Sequence, residues 1–436
     1  MKAIVNTPLN GNHQWPSWQK IAFRLFFVFL SLQVLTENFI GPIFNFSPLV
    51  WKLAEKIWIP PTLWLNKRIF HFNYLSEGWT TFSAVLHTIR DTVYLLAACL
   101  AAAIWTIIDQ KRANYDKLFY WFSESLVIAL SCMIFSYGII KIFPLQMRPP
   151  TLISLYKPMG DQNPYELLFD TLGFGEPYVV FSGLFEALGA VLILFKRTRV
   201  VGLLVIICLM LNIVMLNYAF HIGVLITSFY MLLIALFLLA RYAGQIMRFF
   251  FTRETALLPW AGYAPAKNGK TKLFKAITLV FLGISFFINT RSARSLYITS
   301  KITSDSRRYS LVKNYVAGND TLKLVDKDTV CWRIWSERMT NGKPSVTIAT
   351  MNAAGSRSYW LTRDTAKGLL TLRPAIAKDS SLYSFTYKEL GGNNWRLEGI
   401  FKQKDIRVEL QRISPDTTMT LMKPKRSVIV TNDAEE

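Results

Sequence analysis

Seven polar side chains sit within or at the ends of strongly apolar stretches: Tyr137, Lys141, Gln146, Glu186, Asn212, Asn217 and His221. An ionisable group in hydrocarbon is expensive unless it meets a partner, water or a ligand, so these positions are the first places to look for chemistry. Glu186 stands about 15 Å along its helix from the Lys196–Arg199 basic cluster, flanked by Ser182, Gly183, Gly189 and Ala190, which let a neighbouring helix approach. Tyr137 falls one turn before Lys141 on the same face, Asn212 and Asn217 lie in the outer half of their stretch, and His221 stands at the turn that follows. Packed as a bundle, these residues would line a single polar pocket open outward. Such a pocket suits a quinone, whose carbonyls accept from Lys141 or His221 while the Glu186 carboxylate handles a proton. A plain alternative is a Glu186–Lys141 pair that only sets helix register, with Lys141 snorkelling to the interface. Glu37 and Asn38 could join the cluster, and Glu124 reads as interfacial.

The elements that must carry these residues are seven apolar segments: 20–39, 93–108, 118–144, 177–195, 200–218, 222–240 and 274–289. Most are long enough to cross a hydrocarbon core of roughly 30 Å; 93–108 is short and needs a turn from 88–92. The 52% hydrophobic content is concentrated before Thr290 rather than spread in periodic stripes. Lys and Arg alternate between connectors, sixteen on one side and seven on the other. This predicts a cytoplasmic N-terminus, an odd number of spans and an extracytoplasmic C-terminal region in the plasma (inner) membrane. About half of the net charge of +21 sits with these segments, where anionic lipid is the simpler partner; no basic recognition helix supports nucleic acid.

Other chemistries find little support. Cys99, Cys132 and Cys208 lie in apolar segments and Cys331 stands apart, with no CxxC pair. His13, His71, His87 and His221 lack the spacing of paired helical metal ligands. There is no P-loop, dinucleotide fingerprint or serine-hydrolase elbow. No small-x-small cleavage site follows the first apolar run, so that run is expected to remain as an anchor.

The chain divides into 1–117, with two spans and an interfacial segment rich in Trp51, Trp58, Trp64 and Trp79; a bundle at 118–241; a linker and seventh span at 242–290; and a β domain at 300–425. Pro60-Pro61 should end the interfacial helix. The 148–175 connector is a Pro-rich loop with a short helix at 165–172, long enough to cover the mouth of the bundle. Beyond 289, ten short β-branched or aromatic runs separated by turns such as Asn341-Gly342, Gly391-Gly392-Asn393-Asn394 and Lys404-Asp405 predict an antiparallel barrel or sandwich. Trp332, Trp335, Trp360 and Trp395 read as its core or rim.

Three runs, Tyr137–Phe143 with Gln146, Phe181–Glu186 followed by Lys196–Arg199, and Leu211–Asn217, resemble the DoxX-like integral membrane proteins, which are four-helix modules. The resemblance covers about 118 to 241, under a third of the chain. It implies a quinone-linked role: one member type is associated with thiosulfate-to-quinone electron transfer, others with membrane redox or oxidative-stress complexes, and distant relatives with chaperone activity. The extra N-terminal spans, the seventh span and the β domain depart from the small DoxX pattern. The β domain looks like a lipocalin-like barrel through its strand spacing and the runs 309–320, 329–335 and 395–401.

The expected function is thus an accessory component of a membrane redox system that binds a quinone or lipid in the bundle. The rival is a non-enzymatic assembly factor or chaperone whose outer β domain captures an extracytoplasmic partner. A transporter would call for inverted repeats and broken-helix pairs. Neither a reaction nor a cofactor is specified by the residues themselves.

Overall fold

Continuous apolar runs with few internal breakers make long helices of the first two thirds of the chain, and alternation makes strands of the rest. The computed structural model describes residues 14–35, 47–71, 84–248, 251, 269–305, 307–318, 320–321, 331–340, 342–350, 356–375 and 381–414. Two units emerge, one from Met1–Gln146 with Pro177–Arg294 and the other from Met147–Glu176 with Ser295–Glu436.

The first unit contains α1 (Ser17–Val34), α2 (Ser47–Leu65), α3 (Ala84–Ile108) and α4 (Asp116–Ile142). In the connector that follows lie α5 (Leu152–Leu155) and α6 (Pro164–Phe174); the helical unit resumes with α7 (Glu176–Leu192), α8 (Arg199–Ala219), α9 (Leu225–Ala240) and α10 (Ala243–Met247). The long α11 (Gly269–Asp305) leads into the barrel. Four stretches are long and apolar enough to cross a membrane: Ile89–Ile108, Asp116–Ile142, Arg199–Ala219 and Lys272–Ile302. The apolar α9 is shorter.

Helix directions follow from the contacts. Lys141 meets Glu186, Ser131 donates to the Ala190 carbonyl and Arg199 pairs with Glu124, so α4 and the α7–α8 hairpin are antiparallel at this seam. Trp121 meets Phe274, Phe135 stacks on Phe286 at 3.7 Å and Ser136 bonds Asn289, so α4 and α11 run parallel. Gln33 bonds Asp91 while Arg24 reaches Thr106 and the Asp109 carbonyl, which makes α1 and α3 antiparallel. The buried core of the unit gathers Phe23, Leu30, Leu130, Met133, Ile206 and Ile234.

Two expectations on the helices are corrected. Helix α2 runs through Pro60 and Pro61 and continues as a π-helical turn over Asn66–Phe70. Packing outweighs the lost backbone bonds: Trp58 lies edge-on to Tyr94 at 4.5 Å, and Thr62 is buried with its hydroxyl donating to the Trp58 carbonyl. Helix α11 extends well past 289 as a polar helix, with Thr290, Thr299 and Ser300 hydroxyls bonding back to carbonyls of the preceding turn.

In the second unit β1 (Arg308–Ala317), β2 (Asp320–Thr321), β3 (Trp332–Thr340), β4 (Lys343–Thr350), β5 (Arg357–Asp364), β6 (Leu369–Pro374), β7 (Tyr383–Gly391), β8 (Asn394–Phe401) and β9 (Lys404–Ile413) are all antiparallel. The β1–β9 pairing, from Tyr309 opposite Ile413 to Ala317 opposite Ile406, closes eight strands into a barrel, with the two-residue β2 added beside β1. Closure removes the exposed edges that an open sheet would leave. Inward positions are filled by Trp332, Trp335, Phe385, Trp395, Leu397 and Phe401, so this barrel has a packed interior. Trp360 is half-buried. The last hairpin turns at Lys402-Gln403, both left-handed, rather than at the expected Lys404-Asp405. The expected strand at 419–422 lies outside the described residues. Helix α5 seats Leu152 on the barrel's outer face against Ile334 and Ala349, with Arg333 over the Tyr156 ring at 5.1 Å.

Candidate functional site

Gly138 and Gly183 build the crossing at which two of the expected residues meet. A Cβ on Gly183 would come within 2.6 Å of the Gly138 carbonyl oxygen and 2.8 Å of the Lys141 Cβ. A Cβ on Gly138 would lie 2.8 Å from the Gly183 carbonyl oxygen. Only glycine permits so close a backbone approach. One turn further along each helix, Gly138 leads to Lys141 and Gly183 to Glu186. Their side chains form an ion pair, with Glu186 only 1% exposed and Lys141 6%. The Glu186 Oε2 is buried without a hydrogen-bond partner. Tyr137 lies near enough for its phenol to feel the Glu186 charge.

The remaining expected residues do not join them. Asn212 is exposed on α8; Asn217 is buried but donates to the Ser228 hydroxyl on α9 at 2.9 Å; His221 is exposed in the α8–α9 turn with φ 53°. Gln146, beyond α4, keeps its buried Oε1 without a partner. Among the described residues no hydrogen bond connects any of these four to Lys141 or Glu186. Glu37 and Asn38 lie outside the described residues. Glu124 accepts both nitrogens of the buried Arg199, at 2.7 and 3.1 Å.

A second buried acid has more room. On α1 Phe29 and Gln33 share a face, on α3 Asp91 and Leu95 do so, and on α9 Leu225 and Phe229, each pair four residues apart. With Thr92, Ile226 and Tyr230 they surround a cavity of about 400 Å³, and Gln33 touches it through Asp91. The Asp91 Oδ1 accepts from the Gln33 amide at 3.1 Å, and its Oδ2 has no hydrogen-bond partner. The Tyr230 phenol is its polar neighbour across the seam, and Phe29 meets the Tyr230 ring edge-on at 5.7 Å. The Arg90 charge acts on both Asp91 and Tyr230. The arrangement offers a carboxyl and a phenol at the wall of an open, otherwise apolar cleft lined by aromatic rings, a composition found in organic-ligand sites. Sequence reasoning missed it because Asp91 fell just outside the 93–108 segment; the signal was an acid bordering one apolar run and a glutamine inside another.

A third polar cluster is a lock. The buried Arg24 donates to the Tyr115 hydroxyl at 2.9 and 2.7 Å, to Thr106 and to the Asp109 carbonyl, and Tyr115 donates to the Asp109 carboxylate at 2.8 Å. The Tyr115 hydrogen bond holds the Asp109 carboxyl below its ordinary value. This ties α1 to the α3–α4 connector. Among the described residues no group of three or more His, Cys, Asp or Glu side chains is placed to hold a metal ion.

No family model matches the chain, and no solved structure matches it. A 75-residue stretch, 17% of this chain, is 35% identical to the uncharacterized protein YwoB of Bacillus subtilis (strain 168). The match covers 49% of that protein, so the chain spans about half the length of the curated relative it resembles.

Proposed function

We propose that the chain is a multi-pass membrane protein that crosses the bilayer seven times and binds a quinone in the Asp91 cavity, as an accessory of a membrane redox complex. Four membrane-length apolar helices support the membrane placement. Alternation of helix direction supports the seven crossings, since α4 and α11, both outward-running in such a scheme, are parallel. The connector after α4 packs on the barrel that follows α11, which supports a common side for both; the Lys and Arg count makes that side extracytoplasmic. In this scheme the barrel is a lipocalin-like fold with a filled interior, and 118–241 is a DoxX-like bundle.

The single observation that carries the quinone is the Asp91 carboxyl and Tyr230 phenol facing an open cleft of about 400 Å³ flanked by aromatic rings. The Tyr230 phenol, and the Asp91 carboxyl in its protonated form, can donate a hydrogen bond to a quinone carbonyl, while Phe29 and Phe229 flank the ring. The Glu186–Lys141 crossing serves as a clamp, because its glycines close the space a ligand would need. Electrons would come from a partner subunit. Titration of the full chain in nanodiscs with a short-chain ubiquinone tests the site. Asp91→Asn and Tyr230→Phe should each weaken binding about tenfold, near 1.4 kcal/mol; equal binding by both variants, or none by the wild type, rejects it.

A second reading has one observation in its favour. Because Trp332, Trp335, Phe385 and Phe401 fill the barrel, its working surface is the outside, as an assembly factor gripping a protein would need. Loss of a co-purified partner on removing residues 306–436, with no quinone bound by the wild type, would favour that reading.

A further inference from the structure

At the other end of α4, near its N-terminus, a groove of about 400 Å³ runs between α4, the α7–α8 connector and α11. Its rim carries Lys196, Arg197 and Lys275, all exposed, with the buried Arg199 beneath. Among the described residues Glu124 is the one carboxylate in its lining, and it is held by both nitrogens of Arg199. Lys196 donates to the Tyr120 hydroxyl at 3.2 Å and lies over that ring. The groove walls partly desolvate the Lys196 ammonium at the end of its otherwise exposed side chain and hold it below its ordinary value, and the cations Arg199, Lys275 and Arg241 push the same way against Glu124. The rim is therefore a convergence of positive charge, and its acid is already engaged.

Below the rim the lining turns apolar. Trp121 meets Phe274 edge-on at 4.9 Å, and Val127, Ile128, Leu279 and Leu282 continue the walls. From Trp121 to Ile128, and from Phe274 to Leu282, the helices rise about 10 to 12 Å. That is a charged mouth over an apolar slot, with Phe195, Phe274 and Leu279 exposed.

We propose that this groove is a specific site for an anionic phospholipid, whose phosphate sits among Lys196, Arg197 and Lys275 and whose acyl chain lies along Ile128, Leu279 and Leu282. Charge complementarity selects the occupant: a zwitterionic headgroup brings a choline cation into a field of cations, whereas an anionic one relieves their mutual repulsion. A free phosphate lacks the chain that the slot would bury. The site lies on elements other than those lining the Asp91 cavity. It rests on the membrane placement of the helices and not on the quinone.

Native mass spectrometry of the full chain in detergent, titrated with phosphatidylglycerol or phosphatidylcholine of identical acyl chains, reads the preference directly. The wild type should favour phosphatidylglycerol about tenfold, and the triple variant Lys196→Gln/Arg197→Gln/Lys275→Gln should bring the two lipids within about twofold of each other. Lys275→Gln alone, at an exposed position that folding tolerates, should lower the preference about threefold. Lys111→Gln, which removes an equal charge outside the groove, should leave it unchanged, and glycerol phosphate should not compete. No preference in the wild type, a preference kept by the Lys275 variant, an equal loss in the Lys111 variant, or competition by glycerol phosphate would each overturn the site.

Discussion

The crossing at Glu186 and the cavity at Asp91 both bury a carboxylate among apolar helices, yet they are built for different work. At Glu186 two glycines draw the backbones together and Lys141 supplies a countercharge, so the acid is enclosed and matched. At Asp91 the neighbours are an amide, a phenol and the Arg90 charge, and an open cleft lies beside the acid. The presence of an ionisable residue in an apolar segment therefore does not by itself mark a binding site. What decides is the space next to it, and small residues at a crossing remove that space.

The largest effect should come from breaking the clamp. Lys141→Met leaves Glu186 buried without its cation and should lower stability by about 3–5 kcal/mol, seen as a reduced Tm in detergent, while Lys141→Met/Glu186→Leu should recover most of the loss. Gly183→Ala drives a methyl into the Gly138 carbonyl and should cost about 1–3 kcal/mol in the same assay. Asp91→Asn sharpens the contrast from the other side: quinone binding should fall about tenfold with Tm nearly unchanged, because the amide fits the same space. The smallest effect concerns Asp109, which belongs to neither region. Its folded-state carboxyl is held below the ordinary 3.8 by Tyr115, so its contribution to stability is present above that value and is lost as pH falls through the lower folded one. Between about pH 5 and about pH 3 the Tm of the wild type should drop more than that of Asp109→Asn.

The helices α1, α3, α4, α7, α8, α9 and α11 each overlap an apolar segment visible in the sequence, and the strands were legible from alternation and turn residues. The Glu186–Lys141 meeting was also legible, through the small residues flanking Glu186, whereas the part played by Gly138 beside Lys141 was not. Asn217 was not: its depth along α8 suggested the pocket, but helix rotation turns it toward Ser228 instead. Asp91 was passed over because it lies in the 88–92 turn added to the short 93–108 segment and not in the apolar run itself; α3 begins at Ala84 and carries the acid well inside the helix. Pro60 and Pro61 misled for a different reason; local propensity argued for an end, and packing of Trp58 on Tyr94 kept the helix going. The turn at Lys402-Gln403 carries no glycine, asparagine or aspartate, so composition placed it two residues late. Rotation about a helix axis and the energy of tertiary contacts are the quantities that a single sequence expresses least directly.

Photolabelling the full chain in nanodiscs with an azido-quinone, followed by peptide mapping, tests the central contrast most directly. The account predicts adducts on the α1 and α9 peptides bearing Phe29 and Phe229–Tyr230, suppressed by excess short-chain ubiquinone. Adducts concentrated instead on the peptides bearing Tyr137–Lys141 and Gly183–Glu186 would contradict it and would make the glycine crossing the ligand site.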